Sequence, residues 1–519
     1  CLNTLAALPP DYEPVKAQAE KLYADGSFRL AHDEYEKAKA MELPAAELRW
    51  VDFRLADTLW RSQAATQSAD TTQLDRARKD LEVLVRDLQR VEGHDRVWAE
   101  VEESLGDYFW TRRNSQSWGE AWPHYQQALD WWAATADIEL ARQRYLKIVW
   151  TIARPPHLDG GSFYYYGYYG NILPLEVLEN ALKIARTEND KAHAHYLIAM
   201  TLRSQGGDWD QRQRVPEDFE AAIKPGKTTD WYDDALYNYA EWMMNNGRVI
   251  TLKDGGWSQE PDYKTALEMF RRLVKEFKKG ETRYYDQAEQ QIKGITEPQV
   301  QVSVANVFLP DSEIQYSLNW RNVKKIDLAL YPVDLTRDVQ LAGQDPRRND
   351  WLQSIDLPGR EKIKSWSRDT KDKGDYKPGA DTVHLDGKLP AGAYILEVRG
   401  GGKSSRDLVL VTDASMVLKT SGRQALVYTC NAMNGSPLDD AEVKLWERYY
   451  ENNEWHWRES SKKGNSDGIA VFDLLRIANN EQIFAASRVK DRQAFSVGNA
   501  YDYSRNGQND PWKIYAFTD

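Results

Sequence analysis

Cysteine is nearly missing from this 519-residue chain, which holds only Cys1 and Cys430. Metal sites built from cysteine are thereby excluded. Histidine is scarce as well, with eight residues and no His-Glu-x-x-His spacing. His193 and His195 sit one residue apart, so on a helix they point about 200° apart and do not ligate one metal from one face. Packing or surface roles are expected for both. No apolar run approaches the ~18 residues of a membrane span, so membrane contact requires an anchor. Cationic excess is also lacking: Lys plus Arg number 68 against 80 Asp plus Glu, a formal charge of -12. That balance argues against a nonspecific grip on nucleic acid, which needs a basic face. Arg271-Arg272 and Lys278-Lys279 fall on the outer faces of expected helices and read as solvated surface. Gly401-Gly402-Lys403-Ser404 ends like a phosphate-binding loop. The position of the required earlier glycine is Glu397, however, and a strand follows, so a hairpin turn is expected. Carboxylates are abundant, but spacing singles out no catalytic pair. The chain is expected to be a non-enzyme without a cofactor or metal.

What is present begins with a recurring helical pattern. Ala31-Tyr35-Ala38, Ala77-Leu81-Leu84 and Ala121-Tyr125-Ala128 share a small-x3-large-x2-small spacing, relaxed at Leu84. Positions i, i+4 and i+7 lie on one helix face, where small residues admit a neighbouring helix and the large one fills the gap. One hairpin does not bury such a stripe alone, so the first half is expected to be a stack of hairpins. Ala19, Leu22, Gly26, Phe28, Ala31, Tyr35, Ala38 and Pro44 together resemble the tetratricopeptide pattern. Leu105, Gly106, Phe109, Trp118, Ala121, Tyr125 and Ala128 repeat it, as do Ala235, Tyr239, Ala240, Gly247, Tyr263, Ala266, Phe270 and Leu273. Residues 145–153, 175–185 and 193–202 are helical by periodicity and fit the pattern loosely. About six hairpins are expected, spaced more widely than the roughly 34 residues of a standard repeat, with insertions between helices.

Near residue 297 helical periodicity ends, and 298–304 alternates at period two, as a half-buried strand does. Short strand signals follow at 314–320, 325–331, 393–398, 407–411, 425–428, 442–446, 468–472 and 482–487, separated by Gly, Asn, Asp and Pro. Such a run describes β-sandwiches, and about 220 residues accommodate two. The expected fold is therefore α plus all-β. A tetratricopeptide-like α-solenoid at 1–297 precedes two β-sandwiches, at 298–414 and 415–519.

These sandwich segments resemble the macroglobulin domains of bacterial α2-macroglobulin-like proteins. Asn322-Val323-Lys324-Lys325 leading into Leu328–Leu335, and Leu389-Pro390-Ala391-Gly392-Ala393-Tyr394, resemble parts of a first such domain. Asn434 to Val443 and Asn465 to Ala470 resemble the turn into a strand and the hairpin of a second. Asn434-Gly435 and Asp467-Gly468 also suit turns with positive φ on general grounds. Trp512 to Asp519 resembles the lead-in to the family's next domain. The resemblance implies the front portion of a larger endopeptidase inhibitor that traps proteases after cleavage of a bait segment. In the family that bait lies beyond this stretch. Many members also hold a Cys-x-x-Gln thioester; here Cys1 is followed at the third position by Thr4 and Cys430 by Met433, so this stretch carries none.

Cys1, followed by Leu2-Asn3-Thr4, resembles the mature start of a bacterial lipoprotein and is the expected lipid attachment point. With Cys1 acylated, Cys430 has no partner and no disulfide framework forms. The resemblance implies a chain in the cell envelope, facing the periplasm, with Leu2 favouring the outer membrane. The stretch 160–170 is rich in aromatics among glycines, and Phe163, Tyr164, Tyr165, Tyr166, Tyr168 and Tyr169 form the candidate protein-interaction loop. An Ω-like insertion with its rings packed on neighbouring helices is the structural alternative. The expected partners are target proteases through the full-length protein, a protein on the helical repeats, and a membrane through the lipid alone. Two other functional classes stay open: an envelope assembly scaffold whose repeats hold a partner, and carbohydrate binding by some of the 20 Trp and 28 Tyr.

Overall fold

A computed structural model describes residues 8–64, 70–86, 94–111, 117–135, 138–153, 173–205, 207–305, 307–341, 350–421, 424–451, 453–475 and 481–500. The chain divides into two compact units, Cys1–Trp242 with Asn246–Glu260, and Met243–Asn245 with Pro261–Asp519.

The first unit is helical. Its helices are α1 (Tyr12–Ala24), α2 (Phe28–Lys39), α3 (Ala45–Ala64), α4 (Thr72–Arg86), α5 (Arg96–Trp110), α6 (Trp118–Ala134), α7 (Ile138–Ile152), α8 (Leu175–Ile184), α9 (Glu188–Gln205), α10 (Trp209–Ile223) and α11 (Tyr232–Asn245). Helices α1 and α2, α3 and α4, α5 and α6, and α9 and α10 pack as hairpins. The small-large-small pattern does what its spacing implies: Ala31, Tyr35, Ala38, Ala77, Leu81, Ala121, Tyr125 and Ala128 are all buried. Helix α3 joins successive hairpins because its sides serve different cores. Val51 and Leu55 pack with Tyr12, Ala19 and Tyr35, while Phe53, Ala56 and Trp60 pack with Leu81, Val101 and Leu105. Gly106 sits mid-helix in α5, a placement that costs about 1 kcal/mol of helix propensity. A Cβ there would lie 2.5 Å from the Tyr125 ring, so the glycine is what lets α6 close on α5. A hairpin of β1 (Arg248–Thr251) and β2 (Trp257–Glu260) interrupts the helical run, an element that the helical pattern does not announce.

The second unit starts with α12 (Tyr263–Glu276) and α13 (Tyr285–Thr296) and continues as all-β structure from Gln299. Periodicity changes at about 297, yet α12 and α13 belong by contact with the strands. The reason is visible at the end of α13, whose last carbonyls lack helical partners. Arg321 Nη1 donates to Gly294 O (2.8 Å) and Asn322 Nδ2 to Ile295 O (2.7 Å).

Fourteen strands follow among the described residues: β3 (Gln299–Ser303), β4 (Gln315–Arg321), β5 (Lys325–Val333), β6 (Lys364–Asp369), β7 (Gly379–His384), β8 (Gly392–Gly400), β9 (Lys403–Val411), β10 (Ala414–Ser421), β11 (Gln424–Asn431), β12 (Glu442–Glu451), β13 (Glu454–Lys463), β14 (Ile469–Asp473), β15 (Glu481–Val489) and β16 (Arg492–Ala500). They form two sandwiches. The first pairs sheet β3-β4-β7 with sheet β6-β5-β8-β9, and the second pairs β10-β11-β14 with β13-β12-β15-β16. Counted from their own first strands, the two orders are identical, so the chain holds one seven-stranded topology twice. Gly401-Gly402-Lys403-Ser404 forms the tight β8–β9 connection and the start of β9.

Strand alternation sorts the apolar residues into three cores. Ile326, Leu328 and Leu330 of β5 face the interior of the first sandwich, with Leu318 and Val409. Val443 and Leu445 of β12 face that of the second, with Val427 and Phe472. The opposite faces of the same strands are apolar too. Ala329, Tyr331 and Val333 meet Trp446, Phe484 and Ala486 in a third core, which Trp351 and Leu352 complete. Ring centroids lie 5.1 Å apart for Trp351–Phe484 and 5.3 Å for Trp446–Phe484. The central strands β5, β8, β12 and β15 are thus buried on both sides, and the sandwiches form one four-layered stack. Gln493 completes the joint: its Nε2 donates to Val333 O (2.9 Å) and its Oε1 accepts from Leu335 N (2.7 Å).

Truncating Phe484 to alanine is expected to cost about 3–5 kcal/mol. Because the third core is shared, hydrogen exchange should quicken in β5 and β8 as well as in β15. Faster exchange confined to 414–500 would contradict a shared core.

Candidate functional site

The helical unit is threaded by side-chain bonds that link each odd-numbered helix to the next. Tyr12 Oη and Lys16 Nζ of α1 reach Glu47 of α3 at 2.6 and 2.9 Å. Tyr23 Oη donates to Asp57 (2.6 Å), and Arg54 pairs with Glu20 (2.9 Å). Between α3 and α5, Arg61 bridges Asp57 (2.9 Å) and Asp107 (2.8 Å), while Ser104 Oγ donates to Asp57 (2.5 Å) and accepts from Trp60 Nε1 (2.9 Å). Arg144 of α7 contacts Glu100 (3.2 Å) and Glu103 (3.3 Å) of α5, and Lys147 contacts Glu103 (2.6 Å). Trp150 Nε1 donates to Asp190 of α9 (3.0 Å), and Arg203 reaches Asn238 (3.0 Å) and Glu241 (3.2 Å) of α11. Tyr125, the large residue of its repeat pattern, donates its hydroxyl to Asp107 (2.7 Å).

Burial makes this spine electrostatically demanding. Asp57 is fully buried, and Glu100, Glu103, Ser104 and Asp107 lie in an eleven-residue buried run of α5. Burial by itself pushes the Asp57 carboxyl up, but Arg61, Arg54 and the bonds from Ser104 and Tyr23 hold it below the usual range. The Tyr125 hydroxyl is pushed up by burial and by Asp107. His193 stacks between Trp150 (4.0 Å) and Trp231 (3.7 Å), its Nε2 is buried without a hydrogen bond, and burial pushes its pKa well down. His195 faces elsewhere and pairs with Asp218 of α10 (2.7 Å).

A shallow, open depression of about 530 Å³ lies beside the spine, lined by Glu82, Val85, Arg86, His94, Trp98, Glu102 and Gln127. The His94 ring lies flat on Trp98 at 3.7 Å. His124 Nδ1 sits 2.6 Å from Glu102 and its ring stacks on Phe109, so the carboxylate wall is fixed from behind. Carboxylate, guanidinium, amide and imidazole groups around an aromatic floor suit the binding of a polar segment. Ser104, the hydroxyl nearest buried carboxylate, is held as a link between Trp60 and Asp57. Among the described residues no group of three His, Cys, Asp or Glu is placed to hold a metal ion, and no helix is long and apolar enough to cross a membrane.

Cys1 and the loop residues Phe163, Tyr164, Tyr165, Tyr166, Tyr168 and Tyr169 lie outside the described residues, as does Trp512 to Asp519. The spine was not singled out from sequence, although a signal existed. Arg54, Asp57 and Arg61 recur 46 residues on as Glu100, Glu103 and Asp107, the separation of the Arg61–Asp107 bond. Arg144 and Lys147 follow after a further 44, the separation of Lys147 from Glu103. Charge alternates from Arg54 to Glu100 to Arg144 at one position of this stripe.

No family model and no curated protein matches the chain. Among solved structures, the chain is similar to native alpha-2-macroglobulin from Escherichia coli spanning domains MG0-NIE-MG1. Identity is 14% and TM-score 0.25, over 38% of this chain and 64% of that one. The chain thus spans less than two thirds of that structure. A structure of the same protein spanning NIE-MG1 gives 14% identity and TM-score 0.24, over 38% of this chain and 96% of that one. The TPR2AB-domain:pHSP90 complex of yeast Sti1 gives 15% identity and TM-score 0.19, over 54% and 96% respectively.

The spine and the histidine stack set an acid limit. The unfolded chain protonates His193 near pH 6.5, while the folded unit keeps it neutral, so stability falls as pH drops below about 6.5. Asp57, with its lowered pKa, contributes fully above about pH 3.9 and loses that contribution as pH falls through its folded value. His193→Phe should preserve the stack and flatten the dependence in thermal melts from about pH 7 to 5. A slope unchanged from the wild type would contradict this placement.

Proposed function

We propose that this chain is a non-catalytic, protein-binding front portion of an α2-macroglobulin-like endopeptidase inhibitor of the bacterial cell envelope, attached by lipid at Cys1. The observation that carries the proposal is the doubled sandwich. Two consecutive seven-stranded domains of one topology follow a helical array, and one pair of the segments that resemble macroglobulin domains occupies corresponding places in them. Asn322 to Lys325 leads into β5, and Asn434 to Val443 leads into β12, its counterpart. Gly468, in the hairpin segment, has φ +72° and a Cβ there would lie 2.5 Å from Thr429 O, so this turn accepts glycine alone.

In this reading the helical unit is a rigid platform, and its depression receives a polar segment of a protein. The sandwiches begin a row of domains in which the trap itself lies further along. A second reading, an envelope assembly scaffold, is favoured by the same depression of about 530 Å³ if its occupant is a permanent partner.

Protease protection separates the two. The full-length native product should shield a large protein substrate from an endopeptidase while leaving a short peptide substrate open to cleavage. Residues 1–519 alone should leave both substrates open to cleavage and should show no amine-sensitive covalent capture. A full-length product that protects nothing across a protease panel replaces the inhibitor with the scaffold. The anchor is tested separately by the intact mass of the native N-terminal peptide. An acyl-modified Cys1 is expected, and an unmodified thiol removes the envelope assignment.

A further inference from the structure

The four-layered stack ends differently on its two sides. On the first outer sheet, the outward residues of β3, β4 and β7 are Gln299, Gln301, Ser303, Gln315, Ser317, Asn319, Arg321, Ala380, Thr382 and His384. That face suits water. On the last outer sheet, β10-β11-β14, register places Val417, Tyr428 and Ile469 in one outward cross-strand row and Lys419, Leu426 and Val471 in the next. Five of these six side chains are apolar, and Val417 and Val471 are 39% and 37% exposed. Beside them Tyr428 Oη donates to Gly435 O (2.6 Å), holding the turn that carries Met433, which is 70% exposed. A solvated antiparallel face ordinarily alternates apolar-in and polar-out, and this one does not.

We infer that this face of β10-β11-β14 is a homodimer interface, covered by the same face of a second copy of the chain. The molecule already buries an outward apolar sheet face in this way, since β6-β5-β8-β9 and β13-β12-β15-β16 close on each other through the third core. Among the described residues the outward face of β3-β4-β7 is polar, so pairing two β10-β11-β14 faces leaves polar faces outward on both sides. Association of that kind closes at two copies and does not propagate into a filament. Charge is arranged for it as well. Lys419 borders the patch on β10, and Asp473 lies one row on at the β14 edge. A two-fold axis along the strands sets β10 of one copy over β14 of the other, so that Lys419 faces Val471 of the second copy with Asp473 of that copy one row along. Rows about 7 Å apart on three strands about 4.8 Å apart make a patch of a few hundred Å². That is well short of the ~800 Å² per partner in a standard interface, so the dimer is a weak, concentration-dependent one.

Sedimentation velocity on residues 1–519 over a wide concentration range, about 1 to 500 µM, tests this. The wild type should shift from monomer to dimer, and Val417→Lys or Val471→Lys should raise the dissociation constant at least tenfold with an unchanged circular dichroism spectrum. A cysteine at the patch centre, Leu426→Cys, should give a disulfide-linked dimer on mild oxidation beyond the wild-type background. Gln301→Cys on the polar end should not. A chain that stays monomeric throughout overturns the proposal and assigns the face to a different protein. A dimer unaffected by either lysine substitution places the interface elsewhere and overturns it as well.

Discussion

Arg61 is the residue on which the helical unit turns. Its guanidinium bridges two carboxylates from neighbouring hairpins, Asp57 of α3 and Asp107 of α5, in surroundings where a lone charge is not tolerated. Each carboxylate has further obligations, Asp57 to Tyr23 and Ser104, and Asp107 to Tyr125. Four helices are therefore set relative to one another by a single cluster, and a shift of any one leaves a buried charge uncompensated. Apolar stacking alone tolerates sliding, whereas this cluster fixes the register. The repeat pattern supplies the close approach, through Gly106 and the alanines, that brings the charges within bonding distance.

The all-β unit obeys a different constraint. Its strands are too apolar on both faces for a free sandwich, and the surplus is consumed by the core built around Trp351, Trp446 and Phe484. A row of sandwiches joined face to face resists bending at each joint, unlike beads on linkers.

Much of this was legible in the sequence. The alanine-tyrosine-alanine spacing marks α2 and α6, and period-two alternation with Gly and Asn turns marks β3, β4 and β11. Other strands were not legible, for physical reasons. β13 reads Glu-Trp-His-Trp-Arg-Glu-Ser-Ser-Lys-Lys and lies at a sheet edge, where pairing with β12 and not burial makes it a strand. The third core escaped notice because a strand buried on both faces loses its alternation, as Leu328 to Tyr331 and Tyr394 to Leu396 show. The spine escaped because charged residues three and four apart on a helix ordinarily mark its wet side. Here they mark the most deeply buried one. The candidate loop from Phe163 to Tyr169 and the anchor at Cys1 were named from sequence and lie outside the described residues, while the depression at His94 and Trp98 came from geometry alone.

The platform claim rests on hairpins that move together, and hydrogen exchange of residues 1–519 carrying Arg61→Met measures that most directly. The substitution keeps much of the side-chain volume and removes the bridging charge from between Asp57 and Asp107. Exchange should rise together in α1, α3, α5 and α6, because all four are bonded through that cluster. A rise confined to α3, with α5 and α6 protected as in the wild type, would show that apolar stacking alone sets the array.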